Sequence, residues 1–169
     1  MFPLKIVVVD GQGGALGKSL ISAVRRLGCC APDSEILAIG TNSVATVAML
    51  GAGADYGATG ENPVVVACAD ADIISGPIGI VVANSMFGEI TPNMACKIGG
   101  CRAKKILIPV NKCEISIAGA ADLPYSDYVK IAAGMIAGEV KKLRGEAKPP
   151  HSSDVFKKDA DYASSILNK

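Results

Sequence analysis

The chain has 169 residues, half of them apolar, with 4% aromatic residues, no Trp and a formal net charge of +1. That length suits one domain with a proper core plus an appendage. The near-neutral charge gives no support to nucleic acid or an anionic membrane surface as a partner, and no stretch is long and apolar enough to span a bilayer.

A core of this composition must be built from Val, Ile, Leu, Ala and Met, which suits a parallel sheet covered on both faces. Leu4–Val9 is an apolar, β-branched run ending at Asp10, and it reads as a fully buried first strand. The segment MFPLKIVVVD enters that strand almost at once and lacks the pattern of a signal peptide, so the expected compartment is the cytoplasm. From Gly14 to Leu27 the spacing is helical: Leu16, Leu20, Ile21, Val24 and Leu27 share a face, and Gly28 stops the helix. Glu35–Ile39 is a second strand closed by Gly40. Thr41, Asn42 and Ser43 are good cap residues before a helix through Val44, Val47, Met49 and Leu50.

Ala54–Tyr56 is expected as a short third strand. Asn62-Pro63 has the form of a helix cap followed by proline at the first helical position. The periodicity of Val64–Ala69 leaves a short helix and a strand both open. Asp72–Ile74 is expected as a strand ending in Ser75-Gly76-Pro77, with a further apolar segment through Ile80–Met86. Thr91-Pro92 repeats the cap-and-proline form and starts a helix to about Ile98. Lys105–Ile108 is the next strand, and Ile115–Ile117 is expected to add a last one. Ser126 is expected to cap a long helix to about Leu143. Residues 148–153 have linker composition, and Asp154–Leu167 forms a weak amphipathic pattern. Strands alternating with helices at short intervals imply a mostly parallel sheet with right-handed crossovers. The expectation is a Rossmann-like three-layer α/β sandwich over residues 1–147, with a linker and C-terminal helical tail over 148–169.

The first strand delivers Asp10-Gly11-Gln12-Gly13-Gly14-Ala15-Leu16-Gly17-Lys18 into the first helix. Strand, glycine turn and helix N-terminus together make an anion site, because free N–H groups and the helix dipole point at the same place. The Walker A pattern would need glycine where Gln12 stands, and three residues rather than two separate Gly13 from Gly17, so the six-residue GxGxxG fingerprint also misses. The turn resembles that of short-chain dehydrogenases, often written GASGGIGK, with Ala15 in place of the middle glycine. The resemblance covers the first strand and helix and implies a pyrophosphate-binding turn, not an oxidoreductase. No Tyr-x-x-x-Lys pair is present, and the second strand ends in Gly40-Thr41-Asn42-Ser43 where an acid would meet an adenosine ribose.

Ligands of open parallel sheets bind beyond the carboxyl ends of the strands. Those ends collect Asp10 through Leu16, Thr41, Asn42 and Ser43, Gly76 and Pro77, and Asn111-Lys112-Cys113, with Lys18 just inside the first helix. Thr41, Asn42 and Ser43 have side chains able to hold a ribose or phosphate, besides capping a helix. Lys112 has the charge to neutralise a phosphate or a developing oxyanion. Cys113 beside it is the candidate nucleophile or redox group, against the alternative of a packed thiol. Glu89 is the candidate general base, against the alternative of a solvated loop carboxylate. Of the six cysteines, most of the others read as small core residues, and their spacing, with one histidine, His151, matches no metal signature.

The segments DGQGGALGK, IGTNSVATVAMLGAGADYGATGEN, GPIGIVVANSMFGEITP and KKILIPVNKC together resemble an uncharacterised bacterial family described only as a domain of unknown function, over roughly residues 4–143. That resemblance implies no activity. The sequence therefore points to a protein binding a nucleotide or dinucleotide, NAD(P) or another, at the carboxyl edge of the sheet, with no metal expected. Its alternatives are a non-catalytic ligand sensor or partner subunit, and an NTPase with a deviant phosphate loop. Homo-oligomer formation is an expectation resting on the tail and on exposed Ala and Ile.

Overall fold

A computed structural model describes residues 3–28, 34–110 and 115–145 of the chain. Five strands form one parallel sheet: β1 (Leu4–Asp10), β2 (Ser34–Gly40), β3 (Tyr56–Thr59), β4 (Ile73–Pro77) and β5 (Lys104–Ile108). Their spatial order is β3-β2-β1-β4-β5. The helices are α1 (Ala15–Arg26), α2 (Ser43–Leu50), α3 (Glu61–Ala67), α4 (Pro92–Gly100) and α5 (Tyr125–Gly145). The molecule is a Rossmann-like three-layer α/β fold.

Side chains alternate across a strand, so β1 feeds two cores. Ile6 and Val8 pack with Leu20, Ile21 and Met49 of α1 and α2 and with Ile136 and Val140 of α5. Val7 and Val9 pack on the opposite face with Val64 of α3 and Met94 and Ile98 of α4. A strand buried on both faces needs apolar residues at every position, which is why Ile6-Val7-Val8-Val9 is an unbroken run. Among the described residues, no helix is long and apolar enough to cross a membrane.

Several elements differ from their sequence expectation. The third strand runs over Tyr56–Thr59 rather than Ala54–Tyr56, and it is a largely exposed edge strand. Its Gly57 lies so close under Leu50 that a Cβ there would overlap the leucine, so the strand carries a glycine where a pattern search wants an apolar residue. Val64–Ala69 falls mostly within α3, which begins at Glu61 after Gly60. Asn62 is therefore not the cap, and Pro63 sits within the first turn, where a missing N–H costs nothing. β4 continues through Ser75-Gly76-Pro77 instead of ending at Ile74. Ser75 Oγ donates to the Ile106 carbonyl at 2.6 Å, and Gly76 and Pro77 pair in register with Leu107 and Ile108. The Ile80–Met86 segment opens as a short 3-10 turn over Ile78–Val81 and continues in turns. α5 starts at Tyr125, one residue before Ser126, and Ile115–Ile117 forms no strand. Asn111, Lys112, Cys113, Cys29, Cys30, the linker at 148–153 with His151, and the tail at 154–169 lie outside the described residues.

Candidate functional site

The strand order places the site. The chain leaves β1 for β2 and β3 on one side, then returns to lay β4 and β5 on the other. The connections after β1 and β4 therefore diverge, and a crevice opens between them at the carboxyl edge of the sheet.

One wall of that crevice is the Gly11–Gly17 turn, which is organised by Asp10. Asp10 is 5% exposed, and its two carboxylate oxygens accept from the N–H of Gly11 at 2.8 Å and of Gly17 at 2.7 Å. The nearby Leu16 N–H adds to the stabilisation of this carboxylate. α1 has no capping side chain of its own, and Gly14 at its cap has φ +67°. The carboxylate at the end of β1 does that work from a distance, satisfying donors of the first helical turn. Burial pushes the Asp10 carboxyl above its ordinary value. The N–H groups of Gly17, Gly11 and Leu16 draw it back, and the charge of Glu89 adds to the rise. The Gly14 N–H closes the turn on the Gly11 carbonyl at 2.9 Å. Among the described residues, no partner is found for the N–H groups of Gly13 and Ala15.

The second wall is the connection from β4. Residues 82–90 fold on themselves: Asn84 N–H donates to the Ile90 carbonyl at 2.8 Å, and Ser85 Oγ donates to the Gly79 carbonyl at 2.6 Å. Ile80 and Ile90, both fully buried, anchor the loop. Asn84, Met86 and Phe87 have φ of +63°, +55° and +58°, a conformation that side chains disfavour. Phe87 is 99% exposed. The loop crosses the end of β1 and delivers Glu89 to the end of β2. There Glu89 Oε2 accepts from the Gln12 N–H at 2.8 Å, from Asn42 Nδ2 at 3.1 Å and from the Thr41 hydroxyl. Partial burial works to raise the Glu89 pKa, but the bonds from Thr41, Gln12 and Asn42 outweigh it and hold the group below the usual glutamate value.

Between the two walls lies a cavity of about 780 Å³, lined by Asp10 through Leu16, Pro77, residues 82–87, Val110 and Tyr125. This is within the roughly 300–1,000 Å³ range of small-molecule sites. Tyr125, the first residue of α5, is held up in pKa by burial, eased by a hydrogen bond with Ser19 and raised further by the Asp10 charge. Its hydroxyl therefore stays protonated beside the turn.

The predicted site residues are thus sorted by the fold. Asp10, Gly11, Gln12, Gly13, Gly14, Ala15, Leu16 and Pro77 line one cavity. Thr41, Asn42 and Glu89 meet on the β2 side of the turn, and Asn42 also caps α2 by accepting from the Ala45 N–H at 3.0 Å. Ser43 is exposed at the start of α2, and Lys18 is exposed on α1; neither lines the cavity. Gly76 is buried, so close to β1 that a Cβ there would overlap the Val9 carbonyl, and its role is strand packing. Tyr125, Met86 and Phe87 line the cavity without belonging to any binding or catalytic motif of the sequence. Tyr125 carries a usable signal, since it opens the helix that follows the fifth strand; Met86 and Phe87 carry none. Among the described residues, no group of three or more His, Cys, Asp and Glu side chains is placed to hold a metal ion.

Fold and site define an open parallel α/β protein with a deep crevice at the β1–β4 reversal. More particularly, the chain belongs to the family described as Domain of unknown function (DUF3842), whose model matches residues 5–141. No curated protein and no solved structure matches the chain.

Proposed function

We propose that the protein binds a nucleotide whose phosphate lies against the N–H groups of Gly13 and Ala15, with the rest of the ligand in the β1–β4 crevice. One observation carries this reading: an entire wall of the cavity is the turn Asp10–Leu16, and two of its donors have no partner among the described residues. Two main-chain donors at a helix N-terminus, beside a largely apolar pocket, suit a ligand with an anionic end and a flat apolar end.

A second reading, a ligand sensor or partner subunit without catalysis, is favoured by the state of Glu89. A carboxylate stabilised by three donors is a weak general base, since those bonds would be lost on protonation. The NTPase alternative needs a lysine over the phosphates, and Lys18 does not line the cavity. A role for Lys112 and Cys113, which lie outside the described residues, rests on the sequence alone and is part of the proposal, as is the choice between NAD(P) and another nucleotide.

The test is calorimetry with AMP, ADP, ATP, NAD, NADP and FAD on wild type and Gly13→Val. A Cβ at Gly13 would meet nothing within 4 Å, and the residue is not in the left-handed region. The variant should therefore fold as wild type does while a branched side chain blocks the approach to the turn. Two charge-assisted bonds at roughly 1.5–3 kcal/mol each correspond to a loss of at least about a hundredfold in affinity. Equal binding by the folded variant, or no binding by wild type, refutes the reading.

A further inference from the structure

A dinucleotide on a Rossmann-like sheet straddles the end of β1: its pyrophosphate sits over the glycine turn, and its adenosine ribose reaches the end of β2. In this protein that path is built over. Oε2 of Glu89 occupies the space between Gln12 and the Thr41–Asn42 pair, taking a donor from each of the three. The space above Gly11 is closed by the same loop. A Cβ at Gly11 would lie 2.7 Å from Glu89 Oε2, 2.7 Å from Met86 Sδ and 2.9 Å from Thr41 Oγ1. All three atoms are side-chain ends, so a sugar or a phosphate reaches this space only if Glu89 gives up its bonds and swings aside together with Met86. The cavity, by contrast, begins at the same turn and extends only toward the other side, to Pro77, Val110 and Tyr125.

We infer that Glu89 is a specificity-determining residue, which closes the β2 half of the site and restricts the ligand to a mononucleotide held entirely on the β4–β5 side. The inference rests on the nucleotide reading above and narrows it. Glu89 adds a second restriction through its charge. Held ionised close to the turn, and with Asp10 beside it, it repels a second phosphate that would run toward β2. The mononucleotide instead places one phosphate at Gly13 and Ala15 and its base on the side of the cavity lined by Pro77, Val82 and Val110. Glu89 is thus distinct from the acid that binds ribose at the end of a second strand: it approaches the same place from another connection, and its contacts are made to the protein.

Calorimetry with AMP, ADP and NAD on wild type, Glu89→Gln and Glu89→Ala tests this, with thermal melting of each protein recorded alongside. Wild type is expected to bind AMP or ADP at least about tenfold more tightly than NAD. Glu89→Gln keeps an acceptor of the same reach but loses the charge, so it should keep most of that preference, with NAD affinity rising by less than about threefold. Glu89→Ala removes the plug and should gain at least about tenfold in NAD affinity, with AMP affinity changed by less than about threefold. The inference is overturned if wild type binds NAD as tightly as AMP and ADP. It is also overturned if Glu89→Ala, folded by its melting curve, gains nothing for NAD or loses NAD affinity; a loss would make Glu89 a ribose ligand. If Glu89→Ala does not fold, the wild-type preference decides alone, and Met86→Ala supplies the opening variant, with a smaller gain of about threefold expected for NAD. Failure of every nucleotide to bind wild type overturns the nucleotide reading itself, an outcome distinct from a wrong preference between ligands.

Discussion

The two sides of β1 use the same materials to opposite ends. Toward β2, the turn meets Glu89, Thr41 and Asn42, and Glu89 Oε2, the Thr41 hydroxyl and the Asn42 amide are all bonded to other parts of the protein. Toward β4 and β5, the turn meets Pro77, Val110, Tyr125 and the outer part of the 82–90 loop, and a cavity remains. Both sides lie at the carboxyl edge of one sheet and share one glycine-containing turn. What separates them is a single connection that folds back across β1. A binding turn is therefore defined by what the neighbouring connection leaves uncovered, as well as by its own glycines.

That contrast can be broken most severely within the turn itself. Gly14, unlike Gly13, has φ +67°, and a Cβ there would lie 2.7 Å from the Ala45 Cα and 2.8 Å from its carbonyl oxygen. Gly14→Val should cost roughly 2–5 kcal/mol of stability from left-handed strain and overpacking against α2, read as a lower midpoint in urea unfolding. If Gly13→Val and Gly14→Val destabilise equally, the turn is not held against α2 as described.

Next in size is the carboxylate that both sides share. Asp10→Asn keeps one acceptor and sets an NH2 group against a backbone donor. Urea unfolding should show a loss of about 1–3 kcal/mol at neutral pH, the usual cost of an unsatisfied buried partner. The pH dependence has a definite sign. Asp10 has a raised pKa in the folded state, so between the ordinary aspartate value and the raised one the folded protein holds more protons than the unfolded chain. Wild-type stability therefore falls as pH rises through that window, and the variant lacks this fall. The deficit of the variant should be larger near pH 4 than at pH 7. Glu89, with its lowered pKa, contributes the opposite slope, but it is present in both proteins and largely cancels from the difference. A deficit that grows with pH would reverse the assignment of Asp10 as the group strained by burial.

The smallest effect expected sharpens the β2 side alone. Thr41→Val removes the hydroxyl that donates to Glu89 while keeping its shape. Because the group is only part-buried, about 0.5–1.5 kcal/mol should be lost, and the Glu89 pKa should rise toward the ordinary glutamate value in a carboxylate titration by NMR. An unchanged pKa would mean that Thr41 does not hold Glu89.

The parts of this architecture legible in the sequence are those where one segment settles its own fate. Ile6–Val9 is apolar at every position because β1 is buried there on both faces, and α1 shows its inner stripe in Leu16, Leu20, Ile21 and Val24. Thr91 announces α4 by capping Met94 N–H at 3.1 Å, with Pro92 behind it. Ser75-Gly76-Pro77 misled because its residues favour turns, yet Ser75 and Gly76 are required by close contact with β5 and β1. Glu89 was legible as a carboxylate near the edge but not as the partner of Gln12, which lies 77 residues away in the chain. Nothing local to NSMFGEI specifies that its loop crosses β1. Tyr125 is hard to read for a similar reason: its neighbours in sequence form a helix start, and its neighbours in space, Ser19 and Asp10, belong to the first strand and helix.

Asn42 is the residue on which the closed side turns. Its Oδ1 accepts from the Ala45 N–H at 3.0 Å, and its Nδ2 donates to the Gln12 carbonyl at 3.0 Å and to Glu89 at 3.1 Å. Serine, threonine and aspartate begin helices about as well as asparagine does. None of them presents an acceptor and an amide donor on one short side chain. Aspartate would set a second negative charge against Glu89, and serine would not reach both partners. A position that by helix-start preference accepts four amino acids is thereby narrowed to one. Which residue begins α2 is dictated from outside the helix, by a carboxylate arriving from the far side of the sheet.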